Sequence, residues 1–447
     1  MAPGRVAGLV ARSSVVLVFA FGVVCGLGRE VIVAAYYGIN PELEVFKLGS
    51  SLPVFASLTF GTAFYSVIVP RMVRASRTDV HSFETLAGGR YVWFVLVAGS
   101  MVVAVATLEL QARLLAPGYN DTQIDEIISV LQVGWAFFAV VAITWMPRAQ
   151  LSAKERFFAS SSLGALRALP FILLVPLICG AGIVVGGANE LSLVLIISGF
   201  GIVVTTLICA RQQNVKFFPV RSEIVQALHL RRKVAKAAGG VGLAVASVAG
   251  YQTLSALPAF MDRAAASDQA AGTVASVDYS YSILIAVAVV FGTAVNVALT
   301  PELTRRVEDG RVSEFISSMG TRILVFLMIV LGTSILLSVL AEEFLRIVLG
   351  RGAFDESAVL DTAQIFAAYA PGIPLLVANT ILAQVLIVRD VYVCLVLVGL
   401  FKCATKYLTL LPAIEFFGPR GFGSSFIIAE GVASVLLALL LVRVARR

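Results

Sequence analysis

The chain has 447 residues, of which 59% are hydrophobic and only 14% charged, and its mean hydropathy is +0.94. A soluble domain carries nearer a quarter of charged residues, so a large soluble core is excluded and an integral membrane protein is indicated. The net charge of +7 falls in short clusters between apolar runs and forms no continuous basic face, which argues against a nucleic-acid partner.

Apolar runs of roughly 18–25 residues between charged or turn-rich breaks predict membrane helices. In chain order they cover about 13–36, 45–70, 90–111, 126–147, 158–186, 190–210, 235–260, 271–300, 319–341, 362–388, 391–414 and 424–443. Arg5 and Arg12 precede the first run, which continues past the short apolar core of a signal peptide and reads as an uncleaved span. Basic connections alternate with acidic or mixed ones. Arg71 and Arg74 follow the second run and Arg148, Lys154 and Arg156 the fourth, while Glu42, Glu44, Asp121 and Asp125 lie in the connections between. This alternation over an even number of spans predicts both termini in the cytoplasm. The longest polar connection, 211–236, is strongly basic and divides the runs six and six. It gives an N-terminal lobe at 1–214, a cytoplasmic linker at 215–234 and a C-terminal lobe at 235–447.

The two lobes repeat one another. Phe60–Arg74 (FGTAFYSVIVPRMVR) returns 231 residues later as Phe291–Arg305 (FGTAVNVALTPELTR). Leu115-Ala-Pro-Gly118 is answered by Leu349-Gly-Arg-Gly352, and Ala149-Gln150 by Ala383-Gln384, each 234 residues on. Because six helices separate the copies, both run in the same direction, a parallel repeat of the kind transporters use. The predicted fold is therefore all-α, with about twelve transmembrane helices in two six-helix bundles.

The five cysteines lie in or beside apolar runs without metal-ligand spacing, and the two histidines, His81 and His229, lie in polar stretches. Neither a metal centre nor a His-based triad is expected. No phosphate-binding glycine loop is present, so no nucleotide cofactor is expected, and an ion gradient or the membrane potential is left as the driving force. Asn120-Asp-Thr122 fits a glycosylation sequon, a weak signal by itself.

Ionisable groups inside a span are functional candidates, because hydrocarbon tolerates them only beside a cavity or a partner. They are Arg29, Glu30, Lys47, Arg167, Asp262, Arg263, Asp278, Lys402, Lys406 and Glu430, with Glu44 just before the second run; Arg167, three residues before Pro170, is expected to reach toward the cytoplasm. Arg29 and Arg263 hold equivalent places in the two lobes, and two guanidinium groups can grip a diphosphate through paired hydrogen bonds. The alternative is that each pairs with its neighbouring acid or reaches toward the headgroups. Lys402 and Lys406, four apart, share a helix face turned either to a cavity or to headgroups. Asp278 and Glu430 suit a coupling cation or a nearby base.

Beyond these features, GREVIVAAYYG at 28–38, Leu52-Pro53, FGTAFYSVIVP, MDRAAAS at 261–267, LGRGAFDESAV at 349–359 and AQVLIVRD at 383–390 resemble the motifs of the MurJ/MviN lipid II flippases. That family belongs to the multidrug/oligosaccharidyl-lipid/polysaccharide exporter superfamily. The resemblance implies two six-helix bundles around a V-shaped cavity in the bacterial inner membrane, and non-enzymatic export of a polyprenyl-diphosphate-linked cell-wall precursor by alternating access. Arg29-Glu30 matches the family's Arg-Asp position and Glu44 an acidic position before the second helix. With the charges read within the spans, Arg29, Arg263, Lys47, Glu30, Glu44, Asp262, Lys402 and Lys406 are expected around the substrate, with membrane lipids as the other partner and a monomer as the expected state. The sequence departs from the family pattern at Ser57-Leu58 and Ser282, where arginines are usual, and in having twelve spans where fourteen are frequent. Flipping of another lipid-linked glycan, or cation-coupled drug export, is the alternative function.

Overall fold

The computed structural model describes residues 3–78, 82–154, 156, 158, 162–180, 187–215, 225, 229–308, 312–388 and 391–445, and all regular structure among them is helical. Among the described residues sixteen α-helices with defined ends follow in order: α1 Pro3–Tyr37, α2 Pro41–Thr78, α3 Ser82–Ala106, α4 Leu108–Leu115, α5 Asp121–Ala142, α6 Trp145–Ala153, α7 Leu163–Gly180 and α8 Ala188–Gln212. Then come α9 Arg231–Ala266, α10 Thr273–Glu308, α11 Val312–Val339, α12 Ala341–Val348, α13 Glu356–Tyr369, α14 Ile373–Val388, α15 Tyr392–Phe417 and α16 Gly421–Ala445. Helices are what an apolar chain must form where hydrocarbon offers no hydrogen-bond partner to the backbone.

Ten stretches of the described residues are long and apolar enough to cross a membrane. One of them, Val393–Arg443, embraces both α15 and α16, and the shorter Leu163–Cys179 accompanies them, so each of the twelve predicted runs falls on helix among the described residues, 159–161 and 181–186 of the fifth run lying outside them. Some bounds differ. The fourth run does not stop at 147: α5 ends at Ala142 and α6 carries on to Ala153. Pro147 cannot donate to the carbonyl four residues back, so the chain breaks there and resumes. Pro371 does the same in the tenth run, through a 3₁₀ turn at Ala370–Gly372. Of the proposed linker, residues 216–224 and 226–228 lie outside the described residues, as do His81, Arg311 and Arg389.

The repeat is visible element by element. Helices α4 and α12 have eight residues each and start 233 residues apart, and α8 and α16 have 25 each at the same spacing. Arg113 pairs with Glu109 on its own helix at 3.2 Å and with Asp121 at 3.3 Å. Arg346 likewise holds Glu342 at 2.7 Å and reaches Glu356. Asn120 and Asp355 cap the helices that follow, accepting from the amides of Gln123 at 2.9 Å and Ala358 at 2.8 Å.

Replacing Asn120 with alanine is expected to lower stability by about 1 kcal/mol. Asp355→Ala should act in the same direction but with a pH signature. The Ala358 amide, and after it the Ser357 hydroxyl, hold the Asp355 carboxyl below the usual range. Its contribution is therefore complete above the ordinary carboxylate pKa and vanishes as pH falls through the lowered one. Melting curves should separate parent and D355A at neutral pH and converge in acid, and a gap that persists in acid would refute this.

The chain forms two compact units, one of residues 1–29, 45–114 and 120–249, the other of 30–44, 115–119 and 250–447. All three tryptophans are in the first. There Phe138, fully buried, meets Trp135, Trp145 and Phe60 edge-on with ring centroids 5.2, 5.6 and 6.4 Å away. Such tilted aromatic contacts favour the ring quadrupoles while burying large area. The indole N–H groups of Trp93 and Trp135 are satisfied by Ala142 O at 2.7 Å and Gln111 Oε1 at 2.9 Å. In the second unit the end of α1 lies backbone to backbone against the loop before α13, with Ala353 N donating to Ala35 O at 2.8 Å. Gly38 (φ +59°) and Gly352 (φ +64°) make this approach possible, because a β-carbon on either would collide with Ala353 O or Ala35 O.

Candidate functional site

The second unit contains most of the membrane-embedded charges, and they meet. Asp262 near the end of α9 takes an ion pair from Lys406 of α15 at 2.7 Å and a hydrogen bond from the Tyr369 hydroxyl of α13, also at 2.7 Å. One helical turn from Lys406, Lys402 pairs with Glu430 of α16 at 2.6 Å and donates to Ser255 O at 2.9 Å. Asn379 of α14 donates to the other Glu430 oxygen at 2.7 Å and accepts from Ser434 at 2.8 Å. Arg263, beside Asp262 in sequence, turns instead to Asp278 of α10, with Nε at 2.8 Å and Nη2 at 2.6 Å from Oδ1. Its guanidinium carbon lies 5.5 Å from the Phe260 ring and 5.9 Å from that of Tyr281, within cation–π range. Tyr281, Tyr369 and Phe426 pack edge-on around one another.

Three acids thus face three bases on four helices, α9, α10, α15 and α16, and the pairs sum to zero charge. Buried ions are tolerated when each is paired and its remaining donors and acceptors are satisfied. Burial grades along the network: the Lys406 and Asp262 side chains are 0% and 1% exposed, Lys402 and Glu430 8% and 1%, Arg263 and Asp278 13% and 12%. The Arg263–Asp278 pair is the most exposed of the three. Lys402 and Lys406 are buried against acids of α16 and α9, and Arg263 and Asp262 each take their ion-pair partner from another helix.

Glu44 does something different. It opens α2, whose start is set by the Asn40 side chain accepting from Leu43 N at 2.7 Å, by Pro41 in first position and by Glu42 and Glu44 in the first turn. The Glu44 carboxylate is buried in the second unit and accepts from Ala275 N at 3.1 Å and from the Tyr119 hydroxyl at 3.1 Å. It therefore caps α10, which follows Gly272 and lacks a capping side chain of its own, at the positive end of that helix. Burial first, and then Glu44, push the Tyr119 phenol well above its ordinary value. Glu30 is buried in the second unit. Arg29 and Lys47 belong to the first unit, where Lys47 is buried and the Arg29 guanidinium carbon stands 5.7 Å from the Phe171 ring. Ser57 is buried and spends its hydroxyl on Val54 O in its own helix at 2.7 Å.

Sequence reading missed Tyr369, Asn379 and Ser425 as partners of these charges. It also placed Arg148 in a cytoplasmic connection, whereas α6 buries it. The recurrence of Ala149-Gln150 beside it as Ala383-Gln384, inside the predicted run 362–388, was the available signal. Among the described residues no group of three or more His, Cys, Asp or Glu is placed to hold a metal ion.

The profile of the family described as lipid II flippase MurJ matches residues 33–447. The chain belongs to that family. Two curated relatives, each described as a probable lipid II flippase MurJ, come from Rhizobium tropici and Rhizobium meliloti (strain 1021). They are 24% and 22% identical over 365 and 360 residues, each match covering 78% of this chain. The chain spans 65% and 64% of their length. Among solved structures, a lipid II flippase MurJ in an inward closed conformation superposes with a TM-score of 0.76 at 15% identity, covering 95% of this chain and 86% of its own. A Vibrio cholerae MATE transporter gives 0.67 at 14%, covering 98% of both chains. A transporter of the MOP superfamily from Pyrococcus furiosus gives 0.68 at 13%, covering 98% and 96%. At such identities these likenesses show the fold, that of MOP-type membrane transporters, and the chain is a multi-pass membrane protein of the MurJ family.

Proposed function

We propose that this chain moves a polyprenyl-diphosphate-linked cell-wall precursor, lipid II or a close relative, from the inner to the outer leaflet of the bacterial cytoplasmic membrane by alternating access. The observation that carries the reading is the family match across residues 33–447. In this reading the protein performs no bond chemistry, has two six-helix lobes joined by the basic 215–234 linker, keeps both termini in the cytoplasm, works as a monomer among membrane lipids and draws on an ion gradient or the membrane potential. Arg263 is the cation that meets the diphosphate. It is the most accessible base of the network, its guanidinium is already set in a fork toward an acid, and two aromatic rings flank it. Arg29 and Lys47 are the candidate cations of the first unit, Glu30 and Glu44 its neighbouring acids in sequence, and Asp278 the carboxylate a diphosphate would displace.

Supplying this chain to a bacterium depleted of its own lipid II flippase should restore lipid II accessible from outside. Absence of restoration, with the chain present in the membrane, would reject lipid II as the substrate. Arg263→Ala should abolish restoration. Because that change alone takes the Arg263 charge away from the Asp278 carboxylate, R263A with Asp278→Asn is the sharper variant. It should melt close to the parent and still fail to restore transport, and full activity would exclude Arg263 from the substrate site.

A further inference from the structure

Three tyrosines of the second unit use their hydroxyls within the protein: Tyr119 donates to Glu44 at 3.1 Å, Tyr279 to Gly38 O at 3.4 Å and Tyr369 to Asp262 at 2.7 Å. Tyr281 does not. Among the described residues its hydroxyl has no hydrogen-bond partner, although the residue is half-buried and its ring is held edge-on by the buried rings of Tyr369 and Phe426. A phenol in such a place usually has a partner, and one left without it requires a reason.

Its surroundings supply one. The Tyr281 ring centroid stands 5.9 Å from the guanidinium carbon of Arg263. Nε and Nη2 of Arg263 both go to one Asp278 oxygen, and Nη1 has no hydrogen-bond partner among the described residues. A cation with an N–H group still open and a neutral hydroxyl therefore stand side by side, the first suited to a phosphate and the second to a neutral polar group. The hydroxyl is also set in place beforehand, because Tyr369, which packs against its ring, is itself tied to Asp262.

We propose that Tyr281 reads the sugar of the transported lipid: while Arg263 holds a phosphate, the Tyr281 hydroxyl hydrogen-bonds the first sugar. This rests on the reading of Arg263 as the cation that meets the diphosphate. The first sugar of a polyprenyl-diphosphate-linked glycan is bonded directly to the diphosphate, and the apolar tail leaves from the other phosphate. A phosphate at Arg263 thus brings sugar hydroxyls to Tyr281. A site that hydrogen-bonds a substrate hydroxyl discriminates sharply against the analogue lacking it, so the chain selects the glycan-bearing lipid over the sugarless polyprenyl diphosphate.

The test measures binding of full-length protein in lipid nanodiscs to lipid II and to undecaprenyl diphosphate, which has no sugar. The parent should bind lipid II about tenfold tighter or more. Tyr281→Phe, which removes only the hydroxyl, should melt with the parent and narrow that ratio by roughly three- to tenfold. A parent without preference overturns the proposal. So does a Y281F ratio equal to the parent's, whether neither affinity changes or both fall together, since the hydroxyl would then serve nothing or the phosphate. A lowered melting temperature for Y281F overturns it too, because the hydroxyl would then be engaged within the protein. All of these outcomes leave Arg263 in its role. The R263A/D278N variant should lose affinity for both lipids; if it keeps both, the diphosphate reading fails and the Tyr281 proposal falls with it.

Discussion

Glu430→Ala is expected to lower stability by about 3–5 kcal/mol, the range for breaking one side of a buried ion pair. Glu430 is 1% exposed and neutralises Lys402 at 2.6 Å, while Asn379 donates to its second oxygen. Removing the carboxylate leaves an ammonium in a closed, low-dielectric environment with Ser255 O as its remaining partner, and leaves an Asn379 proton short of an acceptor. The loss is mostly the orphaned charge, not the forfeited attraction. Lys402→Met in the same chain should therefore recover most of it, because a neutral side chain of similar length asks for no partner. All three tryptophans lie in the first unit, so helical circular dichroism is the suitable signal for melting the second. A double variant as unstable as E430A would mean that the deficit comes from packing.

Gly352→Ala should be nearly as damaging, by a different route. At φ +64° an alanine sits in the left-handed region at about 1–2 kcal/mol, and its β-carbon would also meet the Ala35 carbonyl oxygen. That oxygen belongs to backbone and already accepts from Ala353, so it cannot rotate aside. A total above about 2 kcal/mol follows. Gly99 in α3 is the internal control: nothing lies within 4 Å of a β-carbon there, and alanine should be neutral or stabilising by up to about 1 kcal/mol. Equal melting temperatures for G352A and G99A would remove the argument that this loop requires glycine.

The scaffold was readable because the signals that set it are local. Each apolar run carries its own instruction to form helix, and the loops that repeat, Leu115–Gly118 and Leu349–Gly352, mark the ends of helices that also repeat. Which charges would meet was not readable. Asp262 and Arg263 are adjacent, so a local reading pairs them with each other or with one cavity. Side chains one residue apart on a helix point about 100° away from each other, and here one meets α15 while the other meets α10. Lys402 and Lys406 do share a face, as their spacing says, but their acids come from α16 and α9 and depend on how five helices pack. Arg148 was misplaced for the opposite reason: its charge marked the end of a run, whereas α6, which starts at Trp145, carries the helix past it to Ala153. The Glu44 cap is likewise invisible locally, since the amides it serves lie 231 residues away at the start of α10.

The balance of the charge network has an electrical consequence. A single charge carried across the membrane field exchanges about 2.3 kcal/mol with it per 100 mV. Three acids and three bases displaced together exchange nothing net, so a change in membrane voltage pushes on none of this core as a body. A voltage response of the chain must then come from charges outside this network, among them Arg29, Glu30 and Lys47. Variants that delete one member of a pair would acquire a voltage response that the parent core lacks.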